Sequence, residues 1–200
     1  MVSKNPVKKS RGVDTWKTKS WYSVIAPPPF EQKEIGKVVS GNEENLKNRV
    51  IRVSLDELSG GSAPTSVYTR VDLRIYDVKG KTTHTKLIGH ELIPAYIKTI
   101  IRRRKSLITG VVDVTTQDNQ KVRLKYLIVT GAKVSSRVKT IIRHETKKQL
   151  LDIASHSDFS TLMQELLFSR LQKRLYPPIK LFGPIKRIEI RKSEVEETFS

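Results

Sequence analysis

The chain has 200 residues and a large excess of positive charge, with 38 Lys and Arg against 20 Asp and Glu and a formal net charge of +18 at pH 7. This charge exceeds what solubility requires and repels itself, so it predicts an anionic partner, with nucleic acid as the first candidate. Because 37% of the residues are hydrophobic, the chain is not a wholly disordered basic tail. The absence of cysteine excludes disulfides, thiolate nucleophiles and cysteine-ligated metal sites.

The sequence carries neither a run of roughly 20 apolar residues that could span a bilayer nor the apolar core of a secretory signal. We therefore expect a soluble intracellular protein with no membrane partner.

The first segment, residues 1–20, holds six basic residues against one acidic residue. This composition predicts an extended basic arm that binds RNA. A single α+β domain is expected over residues 21–192, followed by an acidic C-terminal tail over residues 193–200. Within the arm, Trp16 is the candidate for stacking on an unpaired base.

The arm is predicted to join the domain at the sequence KSWYSVIAPPPF, residues 19–30. For Trp21 and Tyr22, anchoring of the first strand in the core is the favoured interpretation over base stacking. The three prolines that follow predict a rigid, extended corner at the edge of the domain.

Alternation of apolar and polar residues predicts most of the following strands. The segments are 48–55, 67–78, 82–90, a hairpin over 111–130 and a last extended stretch over 179–193. Asp118 and Asn119 suit the turn of the hairpin, because both residues tolerate turn conformations.

Apolar stripes at helical spacing predict about three helices, over 91–105, 138–154 and 160–175. Pro94 is acceptable only in a first helical turn, and Tyr176–Pro178 should end the last helix. Together with about seven strands, this predicts an antiparallel, curled or barrel-like β body with the helices packed on it.

Three further segments are rich in positive charge. Residues 98–105 hold five basic residues, residues 121–148 hold nine against one acidic, and residues 170–192 hold eight against one. Each segment alone is compatible with a solvated face or a cation-rich helix end. Together they favour a folded body that grips a phosphate backbone at several places.

The candidate RNA-binding residues come from the arm and from two of these basic segments. They are Lys4, Lys8, Lys9, Arg11, Trp16, Lys17, Lys19, Arg102, Arg103, Arg104, Lys105, Lys133, Arg137, Lys139 and Arg143.

Catalytic and metal-binding patterns are incomplete in this sequence. HELIP and HETKK begin like the HExxH zinc motif, but Pro94 and Lys148 stand where the second histidine is required. The GGS segment lacks the lysine of a phosphate-binding loop. We therefore expect no enzymatic activity, no metal, no cofactor and no small-molecule substrate. A general, chromatin-like DNA- or RNA-binding protein and an RNA-modifying enzyme remain as alternatives.

Four segments in chain order, WYSVIAPPPF, IGKVV, LKNRVIRVSLDEL and IGHEL, resemble the archaeal and eukaryotic small-subunit ribosomal protein family S3Ae, also called eS1. The resemblance covers nearly the whole chain, and the length is similar to the archaeal branch. It implies a structural rRNA-binding protein on the platform of the small subunit, near the mRNA exit and the 3′ end of the rRNA. Neighbouring ribosomal proteins are implied partners, and mRNA near the exit is a candidate partner. The implied location is the ribosome in the cytoplasm.

Overall fold

The computed structural model describes residues 16, 19–60 and 66–197. Over these residues the chain forms eight β-strands and five α-helices, which confirms the predicted α+β class. The strands are β1 (Ser20–Ile25), β2 (Glu34–Ser40), β3 (Val50–Ser54), β4 (Thr69–Lys79), β5 (Thr82–Leu92), β6 (Leu107–Thr115), β7 (Lys121–Thr130) and β8 (Ile185–Val195). The helices are α1 (Leu55–Ser59), α2 (Pro94–Ile100), α3 (Ser136–Ser155), α4 (Phe159–Leu167) and α5 (Arg170–Lys180).

All eight strands lie in one curled sheet that branches at β5. One path runs β2-β1-β5-β8-β7-β6, and β4 pairs with β5 on the other side and carries β3. Six of the strand pairs are antiparallel, as predicted, and the β1–β5 pair is parallel. A parallel pair needs a long connection, and here β2, β3 and β4 supply it.

β1 and β8 both lie along the edge of β5 that faces away from β4, and they pair with opposite ends of β5. β1 pairs with its first residues, Thr82–His84, whereas β8 pairs with Gly89–Glu91 near its end. The predicted hairpin over 111–130 is confirmed as β6 and β7, and Asn119 adopts the left-handed conformation in its turn (φ 56°).

The three long helices provide much of the core, together with the sheet. In α5, Leu171, Leu175 and Ile179 are buried at intervals of four residues, so one stripe of the helix lies in the core. They share this core with strand residues such as Ile188 and Ile190.

The number of helices differs from the prediction for identifiable reasons. The helix predicted over 160–175 is divided, because Ser169 between α4 and α5 is left-handed (φ 59°). Tyr176–Pro178 does not end α5, which continues to Lys180. The buried stripe of α5 outweighs the backbone hydrogen bonds that the prolines cannot donate. The short helix α1, capped by Ser54, was not predicted.

The helix predicted over 91–105 is much shorter. Leu92 completes β5, and α2 begins at Pro94 in the first turn, as the proline requires. The helix ends at Ile100, so the four basic residues 102–105 lie in the loop before β6.

The junction at the start of the domain agrees with the prediction for Tyr22 but not for Trp21, nor for the predicted extended conformation of Pro28 and Pro29. Tyr22 is buried in β1, as expected of a strand anchor, whereas Trp21 is 60% exposed and does not anchor the core. Pro27 is extended, but Pro28–Phe30 form a 3₁₀ turn that buries Phe30.

At the other end of the chain, β8 continues to Val195, so the first residues of the predicted acidic tail belong to the sheet. Glu194 forms ion pairs with Lys125 of the neighbouring strand β7 and with Lys192 of β8. Glu197 forms an ion pair with Arg74 of β4. These acidic residues therefore hold the chain end against the sheet.

Among the helices that the structure describes, none combines the length and the apolar character needed to cross a membrane.

Candidate nucleic-acid interface

Three strands meet at one end of the sheet, where β6 begins, β7 ends and β8 begins. Leu107 pairs with Val129, and Thr130 pairs with Ile185. The loops that enter β6 and leave β7 are therefore neighbours, and the chain leading into β8 lies beside them.

Hydrogen bonds hold the two loops to each other. The hydroxyl of Thr130 accepts from the Ser106 backbone N–H (2.9 Å) and donates to the carbonyl of Ala132 (2.6 Å). The hydroxyl of Ser106 accepts from the Val134 backbone N–H (3.2 Å). Thr130 and Ser106 are buried, so residues 101–106 and 131–135 form one fixed surface.

The surface is strongly basic. Segments 101–106, 131–137 and 184–187 together carry eight basic residues and no acidic residue. We call these eight residues the basic end: Arg102, Arg103, Arg104, Lys105, Lys133, Arg137, Lys186 and Arg187. All of them are exposed except Lys105, which is half-buried.

A β-bulge brings two cations of β8 to this surface. The β7–β8 register shifts between Val129, which pairs with Arg187, and Thr130, which pairs with Ile185. Lys186 is the extra residue of the bulge, so both Lys186 and Arg187 are exposed instead of alternating.

Lys105 and Lys186 approach each other across the end of β7. The pKa of Lys105 is lowered, first by the close contact of its side-chain amine with that of Lys186, then by partial desolvation and by repulsion from Lys186 and Arg102. A bound anion would relieve this repulsion, because it would place a negative charge between the ammonium groups.

The structure brings together only some of the predicted RNA-binding residues. Arg102, Arg103, Arg104, Lys105, Lys133 and Arg137 all belong to the basic end. Lys139 and Arg143 lie further along α3, at a rise of about 1.5 Å per residue. Arg143 donates from Nε to the carbonyl of Thr109 (3.2 Å), so it caps the free edge of β6.

Lys4, Lys8, Lys9, Arg11 and Lys17 lie outside the described residues.

Of the candidate RNA-binding residues in the arm, Trp16 and Lys19 are described. The Lys19 ammonium lies 4.8 Å from the ring centroid of Trp16, which is 64% exposed. They precede β1, which pairs with the start of β5, whereas the basic end lies beyond the other end of β5. The arm therefore joins the sheet at a different place from the basic end.

Lys186 and Arg187 were missing from the residues selected by sequence. Their segment, 170–192, was recognised as basic, but charge alone did not separate them from its other members. Arg174 and Lys192, for instance, are engaged in ion pairs with Glu165 and Glu194, and Arg187 is itself paired with Glu189. Only the strand register identifies which cations of this segment reach the loops.

Within the described part of the chain, no three His, Asp or Glu side chains come together as a candidate metal site. Of the four histidines, His90 is buried and held by Ser193 and the carbonyl of Ile190.

The model of a family described as "Ribosomal S3Ae family" matches residues 7–198. Proteins named "Small ribosomal subunit protein eS1" are similar over 92% of this chain. The relative from Methanothrix thermoacetophila is 33% identical and covered over 87% of its length, that from Methanococcus maripaludis 33% and 81%, and that from Methanopyrus kandleri 34% and 88%. These matches confirm the resemblance seen in the sequence and with it a structural role in the small ribosomal subunit, not an enzymatic one.

Proposed function

This chain belongs to the Ribosomal S3Ae family, and from that premise we propose that it binds small-subunit rRNA through the basic end, on the platform near the mRNA exit. The observation that carries the proposal is the approach of Lys105 and Lys186 among six other cations, of which Arg187 is paired with the buried Glu189. Like charges held together in a folded protein favour an anionic ligand, and a phosphate backbone offers regularly spaced anions.

The fixed geometry of the loops also supports RNA as the ligand. Because hydrogen bonds to the hydroxyls of Thr130 and Ser106 hold the two loops together, the cations around them lose little further freedom on binding. Irregular rRNA is recognised by its shape and by phosphate and 2′-hydroxyl contacts, which suits a rigid cationic surface.

Salt-dependent binding to a small-subunit rRNA fragment tests the basic end. Replacing Arg102 and Lys105 with alanine should weaken binding and reduce the slope of log K against log salt by about 1 to 2, because two phosphate contacts are lost. The control replaces Lys33 and Lys37 with alanine. Both are exposed; Lys33 directly precedes the opposite edge strand β2, and Lys37 lies in it. This variant has the same change in net charge and should leave the slope nearly unchanged. Equal losses in the two variants would contradict a specific interface.

The arm is a second proposed RNA contact. Removal of residues 1–15 should weaken rRNA binding while leaving the thermal unfolding transition nearly unchanged, since β1 begins only at Ser20. A large loss of thermal stability would show instead that the arm is part of the folded body.

The location on the platform needs a test of its own. Since the chain has no cysteine, a single Ala132→Cys variant can carry an iron chelate that cleaves nearby rRNA by hydroxyl radicals. We expect cleavage near the 3′ end of the small-subunit rRNA, and a different pattern from Asn42→Cys, which lies just after the edge strand β2. Cleavage confined to distant rRNA regions would reject the platform location while leaving rRNA binding intact.

The alternative of a general, chromatin-like binder makes the opposite prediction in competition. Duplex DNA would then displace the rRNA fragment at similar concentrations, whereas an rRNA-specific surface should retain the fragment.

A further inference from the structure

Next to the basic end lies an ordered stack of two tyrosines and one arginine. The rings of Tyr68 and Tyr96 are nearly parallel (11°), with centroids 4.6 Å apart. The guanidinium carbon of Arg187 lies 5.4 Å from the centroid of Tyr96. We call Tyr68, Tyr96 and Arg187 the aromatic stack.

The backbone fixes the two tyrosines beside each other. Tyr68 ends a 3₁₀ turn directly before β4, and Tyr96 lies in the first turn of α2, directly after β5. Pairing of Thr69 with Leu92 brings these elements together, and the carbonyl of Tyr68 accepts from the Ile93 N–H (2.9 Å).

A buried carboxylate holds the inner part of the stack. Oε1 of Glu189 accepts from Nε of Arg187 (2.7 Å) and from the hydroxyl of Tyr96 (3.3 Å), and Glu189 is buried. Burial and the Glu189 charge raise the pKa of Tyr96 to about 12, so its hydroxyl remains a donor near neutral pH. The stack is therefore organised before any ligand arrives.

The outer ring remains accessible. Tyr96 is only 8% exposed, whereas Tyr68 is 43% exposed although one of its faces lies against Tyr96. An aromatic surface of this kind, fixed in place and open on one side, is a suitable platform for a flat ligand.

The position of the stack points to the nature of that ligand. Arg187 belongs both to the stack and to the basic end, and α2 leads directly into the loop that carries Arg102–Lys105. Only the Tyr96 ring separates Tyr68 from Arg187, so a base next to a phosphate bound at the basic end is within reach of Tyr68. Proteins that bind unpaired RNA combine such a cationic track with an aromatic surface on which a base stacks.

We propose that the exposed ring of Tyr68 stacks on an unpaired base of the RNA that contacts the basic end. This inference rests on the proposed function and adds to it a ligand group, an unstacked nucleobase, and a residue that recognises it.

The test compares short RNA oligonucleotides that contain 2-aminopurine, whose fluorescence falls when it stacks on a ring. Binding of the unaltered chain should quench the 2-aminopurine fluorescence of a single-stranded RNA. Tyr68→Leu should weaken its binding by about tenfold and remove the quenching, whereas Tyr68→Phe should preserve both. Tyr76→Leu is the matched control, because Tyr76 is also an exposed tyrosine but lies in β4, away from the stack. A duplex of the same RNA should bind Tyr68→Leu as well as it binds the unaltered chain.

The outcomes separate this inference from the proposed function. If the alanine variants of Arg102 and Lys105 lose binding while Tyr68→Leu binds and quenches normally, the base-stacking inference is wrong and the rRNA interface stands. If the unaltered chain binds neither RNA, both are wrong. If Tyr68→Leu binds and quenches RNA normally but co-purifies with fewer neighbouring ribosomal proteins, the stack is a protein contact and the inference is rejected. Circular dichroism of each variant verifies the fold.

Discussion

His90 should make the stability of the fold depend on pH between pH 6.5 and pH 4. It is 2% exposed and lies where β5 pairs with β8. Its Nε2 is 3.1 Å from the carbonyl of Ile190, which can only accept, so Nε2 carries the hydrogen. Nδ1 is then free to accept from the hydroxyl of Ser193 at 2.6 Å. The folded site is therefore built for a neutral imidazole.

Burial lowers the pKa of His90 from 6.5 to about 4, and its hydrogen bond to the Ile190 carbonyl only partly opposes this shift. In the unfolded chain the imidazole titrates near 6.5. Between these two values the unfolded state takes up a proton that the folded state refuses, so protonation favours unfolding. The contribution of His90 to the free energy of unfolding is fully present above pH 6.5 and is lost progressively as the pH is lowered towards 4. Since one pKa unit corresponds to about 1.4 kcal/mol, the loss over this range is about 3 kcal/mol.

Denaturant unfolding at a series of pH values measures this loss, with His90→Gln as the comparison. The variant starts with lower stability but should lack the His90 contribution to the pH slope. Carboxylates such as Glu194, whose pKa is lowered by Lys125 and Lys192, contribute equally to both proteins and cancel in the difference. Parallel stability curves for the two proteins between pH 6.5 and pH 4 would refute the reasoning.

Two substitutions test the packing of the sheet. In denaturant titrations, Gly89→Ala should lower the free energy of unfolding by about 1 to 3 kcal/mol, because a Cβ there meets the Ser193 carbonyl oxygen of the paired strand. Its control, Gly36→Ala, has open space around the new Cβ and should change the free energy of unfolding by less than about 0.5 kcal/mol. Thr130→Val should cost about 1 to 3 kcal/mol by leaving a buried loop N–H without its acceptor, and Thr115→Val, at an exposed position of β6, serves as its control in thermal melts; equal effects of Thr130→Val and Thr115→Val would show that the loops do not depend on this hydroxyl.

Local patterns predicted most strands but not how they pair. The stretch predicted over 179–193 becomes a strand only at Ile185, because Ile179 and Lys180 still belong to α5. Alternation along β4 placed Val71, Leu73 and Ile75 on one face, and all three are buried. Period-2 patterning, however, says which face of a strand is buried and not which strand lies beside it. The parallel pairing of β1 with β5 and the branch of the sheet at β5 therefore could not be read from the sequence.

The helices show where local rules compete with packing. Proline rules predicted that α5 should end at Tyr176–Pro178, and buried Leu175 and Ile179 carry it past them. The break between α4 and α5 could not be predicted from a glycine or proline, because a serine, Ser169, adopts the left-handed conformation there.

The candidate site was predictable in its chemistry and only partly in its members. Charge counting found Arg102–Lys105, which the structure places in one loop, exposed except for the half-buried Lys105. The contribution of Lys186 depends on a bulge, and the stack of Tyr68 on Tyr96 joins residues far apart in sequence. Both depend on strand register, which composition does not record.

The central claim, that this chain acts as an rRNA-bound component of the small ribosomal subunit, is tested most directly by sedimentation. Cell extract is separated on a gradient at increasing salt, with and without RNase, and the chain is detected by antibody. Free binding to about eight phosphates of single-stranded RNA would weaken with a log-log slope of roughly 6, whereas a chain assembled into a subunit is held kinetically. We expect the chain to stay with the small subunit at high salt and to be released by RNase. Loss from the subunit at modest salt, or sedimentation with DNA after RNase treatment, would contradict the account.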